Sequence, residues 1–97
     1  MNEELLEELT TFIRAGLSTT VAKNNIGFWC ENVTPLIVEI YAKHINNDSV
    51  NIYIYAAHVM YFINTVYVGD IEMCVEMVEM FVETQLNDIP YININPM

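Results

Sequence analysis

The sequence predicts an all-α fold: a small bundle of four to five helices followed by an extended C-terminal tail. Apolar residues recur at helical spacing in four stretches, and short segments rich in Asn, Asp, Ser or Gly separate them. A chain of 97 residues is expected to form one domain with one core. We therefore expect a single domain over residues 1–97, with the bundle in residues 1–88 and the tail in residues 89–97.

The first predicted helix has the clearest pattern. One face is apolar and comprises Leu5, Leu6, Leu9, Phe12, Ile13 and Leu17. The opposite face carries Glu3, Glu4, Glu7, Glu8 and Thr11. The glutamates occupy the first two turns, where the helix dipole stabilises negative charge. Gly16 and Ser18 mark the expected end of the helix.

The segment after this helix is harder to assign. Residues 19–24 are compatible with a short helical turn, and Asn24–Gly27 is expected to end it, with Gly27 available for a left-handed cap. Thr34 and Pro35 then predict the start of the next long helix, because Thr is a good N-cap and Pro is tolerated at the first helical position. This second long helix carries Leu36, Ile37, Ile40, Tyr41, His44 and Ile45.

After a polar loop at residues 46–49, the chain has no Asp, Glu, Lys or Arg from Ser49 to Gly69. The length would allow a membrane span, but several tyrosines, two asparagines and a histidine make a span unfavourable. Residues 50–55 are compatible with either helix or strand, because apolar and polar residues alternate there. The helical wheel nevertheless places one set of residues on a single side: Ile52, Tyr55, Ala56, Val59, Phe62, Ile63 and Val66. We therefore predict a buried helix whose second face, polar but uncharged, suits a surface covered by a partner.

The last helix is predicted to begin after Asp70 as its N-cap and to run to about Leu86. Asn87–Pro90 is expected to end it, and residues 91–96 alternate apolar and polar side chains, which predicts an extended tail. At 100° per residue, four glutamates of this helix fall within about 60° of arc: Glu72, Glu76, Glu79 and Glu83. They form an acidic ridge between two apolar faces.

The two apolar faces of this helix differ in character. One is aliphatic and comprises Ile71, Val75, Val78 and Val82; the other comprises Met73, Met77 and Met80. We expect the aliphatic face in the core, because branched side chains pack with defined rotamers. Methionine is flexible and adaptable, so the Met face is interpreted as either core or a binding surface. The ridge alone has one charge per roughly 5 Å, too sparse to mimic duplex DNA at one per about 1.7 Å, unless the first helix lies beside it.

Thirteen acidic residues face only three basic ones, Arg14, Lys23 and Lys43, which gives a net charge of −10. Such a charge repels nucleic acid and anionic membranes and attracts basic surfaces, although it can also serve only to keep an apolar chain soluble. Hydrophobic residues make up 54% of the chain, above the roughly 45–50% of ordinary soluble domains. We therefore expect a protein partner or self-association, and no direct binding to nucleic acid or membrane. The N-terminal sequence has no basic, apolar leader, so a cytoplasmic location is expected.

We expect no catalytic residues, no metal site and no cofactor. The chain has neither a glycine-rich phosphate loop nor a nucleophile elbow. The potential zinc ligands are His44, His58, Cys30 and Cys74, and their spacing matches no known zinc motif. Both cysteines are expected to be buried free thiols.

These observations favour a non-enzymatic, acidic protein-binding module. Abundant Asn, Ile and Tyr beside scarce Arg, Gly and Pro indicate an AT-rich genome, so we expect a phage- or virus-encoded inhibitor in the host cytoplasm. Its expected partner is a basic, nucleic-acid-handling host protein, such as a defence component. The predicted binding residues are Glu72, Glu76, Glu79, Glu83, Glu3, Glu4, Glu7, Glu8, Met73, Met77 and Met80.

Two alternatives remain open at the level of sequence. The chain is alternatively a homo-oligomeric structural or assembly subunit, for instance a homodimer, that pairs through its Met- and Tyr-rich helix faces. It is otherwise a small-molecule or peptide sensor with a pocket near Trp29, Tyr41 and His58.

Overall fold

The computed structural model describes residues 3–45 and 49–94, which form five α-helices and no strand. The helices are α1 (Glu3–Leu17), α2 (Thr20–Asn24), α3 (Ile26–His44), α4 (Ser49–Val66) and α5 (Ile71–Ile94). The predicted all-α class and the small bundle of four to five helices are confirmed. Residues 46–48, part of the predicted loop, and residues 95–97, the end of the predicted tail, lie outside the described residues.

The four longer helices form a ring in which α1 packs on α3, α3 on α4, α4 on α5, and α5 on α1. The short helix α2 packs against α1 and α3. Each long helix turns its apolar stripe toward the centre of this ring, where burial removes the most apolar surface from water. The fully buried side chains there include Leu5, Leu9, Ile13, Leu17, Ile37, Tyr41, Val59, Ile63, Val78 and Val82.

The helices α1 and α4 and the faces predicted to be buried on them are confirmed. α1 buries Leu5, Leu9, Ile13 and Leu17 and exposes Glu3, Glu4 and Glu7. α4 is helical through residues 50–55, which decides the choice between helix and strand. Its buried residues are Ile52, Tyr55, Ala56, Val59, Met60 and Ile63, so the wheel identified the correct face. The apolar residues of this segment recur at helical spacing along its whole length, so a helix buries all of them on one side. A strand would bury only the few residues that alternate at its start.

The predicted start of the second long helix at Thr34 and Pro35 is wrong, because α3 begins at Ile26. Asn25 is its N-cap, and the side-chain oxygen of Asn25 accepts a hydrogen bond from the Phe28 N–H at 3.0 Å. Gly27 lies inside α3 and does not form the predicted left-handed cap; among the described residues only Gly69 has a positive φ, at 100°. The buried positions of α3 keep helical spacing through the proline: Trp29, Cys30, Val33, Ile37, Ile40 and Tyr41. Pro35 has no N–H, so α3 lacks one backbone hydrogen bond there. Because Pro35 is exposed, the buried face of α3 is not interrupted by it.

The predicted extended tail is corrected over residues 89–94, because α5 continues to Ile94. Asp70 caps α5 as predicted, with its Oδ1 accepting from the Met73 N–H at 3.1 Å. Pro90 removes a single backbone donor, and extending an existing helix by a turn is far easier than starting one. The sequence signal at residues 87–90 therefore marks a weak point in the helix and not its end.

A buried polar link connects three helices of the ring. The Tyr41 hydroxyl of α3 donates a hydrogen bond to Gln85 Oε1 of α5, and Gln85 Nε2 donates to the Tyr55 carbonyl of α4 at 3.1 Å. Burial raises the pKa of Tyr41, so its hydroxyl stays protonated and serves as the donor. Within the described part of the chain, Gln85 is the one buried polar residue other than tyrosine and cysteine.

Among residues 3–45 and 49–94, the apolar stretches of the helices are too short or too polar to cross a bilayer. Cys30 and Cys74 are both buried and unbridged, as predicted. Burial raises the pKa of each thiol to about 11, so both remain protonated at neutral pH.

Candidate protein-binding surface

The acidic ridge and the two flanking faces of α5 lie as the helical wheel predicts. Val75, Val78 and Val82 are buried in the core, and all four glutamates are exposed. The methionines are also exposed: 42% of Met73, 36% of Met77 and 67% of Met80 remains accessible. This exposure decides the question that the sequence left open, since the Met face is not part of the core of this chain.

The acidic side of α5 lies against α1. Arg14, in the last turn of α1, makes a bidentate ion pair with Glu72, in the first turn of α5: Nε to Oε2 is 2.8 Å and Nη2 to Oε1 is 3.2 Å. The ion pair joins the C-terminal end of α1 to the N-terminal end of α5. Since the two helices also pack against each other, they run antiparallel. The Arg14 guanidinium lowers the pKa of Glu72, and Glu72 and Glu79 raise the pKa of Arg14.

By helical spacing, this packing places two acidic residues of α1 on the side of the helix that faces the ridge of α5. At 100° per residue, Glu3, Glu7 and Arg14 fall within about 40° of arc, so both glutamates lie on the side of α1 that faces α5. On α1, the residues from Glu3 to Arg14 span the same length of helix as the residues from Glu72 to Glu83 on α5. We call this surface the acidic face; its members are Glu3, Glu7 and Arg14 of α1 and Glu72, Glu76, Glu79 and Glu83 of α5.

Of the other two predicted glutamates of α1, Glu8 lies about 100° around the helix from Glu7, toward α3. There Glu8 accepts from Lys43 Nζ at 2.6 Å and is paired with His44 Nε2 at 2.7 Å. The His44 and Lys43 contacts lower the pKa of Glu8. Glu4 is exposed and lies between Glu7 and Glu8 by helical spacing. Glu8 joins α1 to α3 and is not brought together with the ridge.

An apolar groove lies between α4 and α5, and its floor is the stacked pair Phe62 and Phe81. The two ring centroids are 4.4 Å apart and the ring planes differ by 13°. The pair separates two shallow depressions of about 280 Å³ each. The remaining lining residues are His58, Tyr61, Thr65 and Val66 of α4 and Met77, Met80 and Thr84 of α5. We call this surface the α4/α5 groove.

The residues proposed for a sensor pocket do not meet. Trp29 packs on Phe12 and Gly16, Tyr41 is fully buried beside Gln85, and His58 lines the α4/α5 groove. The potential zinc ligands do not converge either: Cys30 and Cys74 lie near each other, but His44 pairs with Glu8 of α1 and His58 lines the α4/α5 groove. Across residues 3–45 and 49–94, no group of three or more His, Cys, Asp or Glu side chains is arranged to hold a metal ion.

Sequence reasoning missed the α4/α5 groove and the Arg14–Glu72 pair, because both depend on which helices are neighbours. One signal for the groove was available: Tyr61 lies on the polar face of α4 and is 74% exposed, an unusual position for a large ring.

No known protein family, curated protein or solved structure shows a significant similarity to this chain.

Proposed function

We propose that the protein is a non-enzymatic module that binds a basic protein through the acidic face. The observation that carries the proposal is the side-by-side packing of α1 and α5, which by helical spacing places six carboxylates and one arginine on the same surface. Like charges on adjacent helices repel and lower the stability of the fold. Stability therefore does not explain why these carboxylates lie on one surface. A partner rich in Lys and Arg supplies the missing counter-charge.

The charge density supports a partner that normally handles nucleic acid. Six carboxylates along about 16 Å of paired helix give about one charge per 3 Å, against one per about 1.7 Å of duplex DNA. This is closer to DNA than the ridge by itself. We propose further that the chain is a phage- or virus-encoded inhibitor that acts in the host cytoplasm, occupies the nucleic-acid site of such a protein, and binds neither nucleic acid nor membrane itself.

The test is a binding titration against a panel of purified basic DNA- and RNA-binding domains, each measured at low and at high salt. We expect binding that weakens steeply with salt and that displaces a labelled oligonucleotide from the domain. The variant Glu79→Gln/Glu83→Gln should weaken binding by about tenfold and flatten the salt dependence.

The matched control is Glu31→Gln/Glu39→Gln, which removes two exposed carboxylates from α3 and so changes the net charge equally. If both double variants weaken binding to the same extent, net charge alone is responsible and the acidic face is not the binding site. If the protein binds a basic domain but does not displace the labelled oligonucleotide from it, the proposed inhibitory mechanism is contradicted.

A second candidate function is a homo-oligomeric assembly subunit, and the exposed apolar residues favour it. Met73, Met77, Met80 and Tyr61 are accessible on neighbouring parts of α5 and α4. Sedimentation of the purified chain over a wide concentration range separates the two functions. A monomer at the highest concentration rejects the subunit, and a tight dimer that Met80→Gln dissociates supports it.

A further inference from the structure

We propose that the α4/α5 groove binds the apolar face of an amphipathic basic helix, whose Lys and Arg side chains contact Glu76 and Glu83. The inference rests on the proposed function and specifies its partner: a helical segment with one apolar stripe and one cationic stripe. The acidic face alone predicts only an affinity for cations, whereas the groove requires a particular arrangement of apolar and basic residues.

The exposed surface of α5 changes from apolar to acidic in one continuous sweep. Beginning at Phe81 and moving around the helix at 100° per residue, the next side chains are Met77, Thr84, Met73 and Met80. This sector covers about 100°. Glu76 and Glu83 follow it about 40° and 60° beyond Met80, whereas Glu79 lies about 100° beyond Met80, toward α1. Met80, the most exposed of the methionines, lies beside the boundary.

The other margin of the α4/α5 groove carries no charge. Between Ser49 and Gly69 the sequence contains no Asp, Glu, Lys or Arg. Tyr61, His58 and Thr65 line this margin. The surface is therefore asymmetric, with an uncharged margin, an apolar floor and an acidic margin. A complementary ligand has its positive charge on one side only, which is the pattern of an amphipathic basic helix.

The dimensions of the surface suit such a helix. On α5, the groove runs from Met77 to Thr84 and the accompanying glutamates from Glu76 to Glu83, each about 10 Å or two helical turns. A ligand helix is about 10 Å wide with its side chains, enough to reach from the groove to the glutamates across Met80. Methionines adapt to varied apolar side chains, and helix-binding grooves commonly use them.

A second copy of this chain fits the groove less well. Each chain carries a net charge of −10, and a symmetric pairing through the groove would bring two sets of glutamates near each other. The charge therefore favours a cationic ligand over self-association.

The test uses a labelled synthetic peptide of about 18 Leu and Lys residues, with leucines at i, i+3, i+4 and i+7 so that they form one stripe. Fluorescence anisotropy measures its affinity for the whole chain. Two control peptides are needed: one with the same composition and leucines scattered around the helix, and one with Glu replacing Lys. We expect the amphipathic basic peptide to bind at least about tenfold more tightly than either control.

Two pairs of variants locate the peptide. Met77→Gln/Met80→Gln should weaken binding by about five- to tenfold with little change in the salt dependence, and Leu36→Gln/Val68→Gln, at exposed apolar positions outside the groove, should not. Glu76→Gln/Glu83→Gln should weaken binding and flatten the salt dependence. Circular dichroism confirms that each variant is folded.

The outcomes distinguish this inference from the function on which it rests. If the scattered peptide binds equally well, or if the Met variant binds normally while the Glu variant does not, the groove inference is overturned and the acidic face stands. If the Glu variant binds normally, the basic-partner function and the inference both fail. If the protein alone is a dimer that the Met variant dissociates, a second copy occupies the groove and the inference is overturned.

Discussion

At the scale of single residues, two glycines with opposite surroundings give the first prediction. A Cβ on Gly16 of α1 would lie 2.2 Å from Cζ2 and 2.9 Å from Cε2 of Trp29, a buried ring that cannot move freely. Gly16→Ala should therefore lower the free energy of unfolding by about 1–3 kcal/mol. Urea denaturation monitored by Trp29 fluorescence measures this loss.

Gly27→Ala is the matched control for this substitution. Its Cβ would meet no atom closer than 3.7 Å, and the residue lies within α3, so alanine should stabilise the chain by up to about 0.5 kcal/mol. Equal effects of the two substitutions would show that the contact with Trp29 does not constrain the packing of α1 on α3.

A second residue-scale prediction concerns the ion pairs of Glu8. The His44 and Lys43 contacts lower the pKa of Glu8 from its ordinary value of 4.5. Because the pKa is lower in the folded chain than in the unfolded chain, the stability from Glu8 is present above about pH 4.5 and is lost as the pH falls through the folded value. The difference in unfolding free energy between the native chain and Glu8→Gln should therefore shrink in acid.

Denaturation of both proteins across the acid range measures this difference. Glu39→Gln, an exposed residue of α3 with the same change in charge, controls for the general effect of net charge. A difference between the native chain and Glu8→Gln that stays constant from neutral pH into acid would contradict the role assigned to Glu8.

At the scale of secondary-structure elements, Gln85 is the residue that joins α3, α4 and α5. Gln85→Leu removes the acceptor of the buried Tyr41 hydroxyl, and we expect a loss of about 1–3 kcal/mol in stability. In a double-mutant cycle, Tyr41→Phe/Gln85→Leu should cost less than the sum of the single changes, because no buried donor is then left behind. Additive losses would show that the two side chains act independently.

The elements themselves were predictable to different degrees. The apolar stripe of α1 and the cap at Asp70 were read correctly, because each depends on residues close in sequence. The end of α5 was not, because the helix continues through Pro90 to Ile94. The start of α3 was not either, since the local signal at Pro35 conflicted with packing of the whole helix. A buried stripe that continues past a proline has more influence than the one hydrogen bond that the proline removes.

At the scale of the whole molecule, charge repulsion should govern the response to salt. With a net charge of −10 and two acidic lines side by side, added NaCl should raise the melting temperature by roughly 5 °C, which corresponds to about 1 kcal/mol. Glu79→Gln/Glu83→Gln should melt higher at low salt and respond less to NaCl than Glu31→Gln/Glu39→Gln. A melting temperature that falls with salt would show that ion pairs such as Arg14–Glu72 outweigh the repulsion.

The sequence by itself determined the helical class, the negative charge and the face that each of α1, α4 and α5 buries. These follow from local periodicity and composition, which need no knowledge of neighbouring helices. Only the tertiary structure decided that the Met face is exposed, that Arg14 pairs with Glu72 while Glu8 pairs with Lys43 and His44, and that Phe62 meets Phe81. Each of these depends on which helices are adjacent and in which direction they run, and that choice is made by the packing of the whole core.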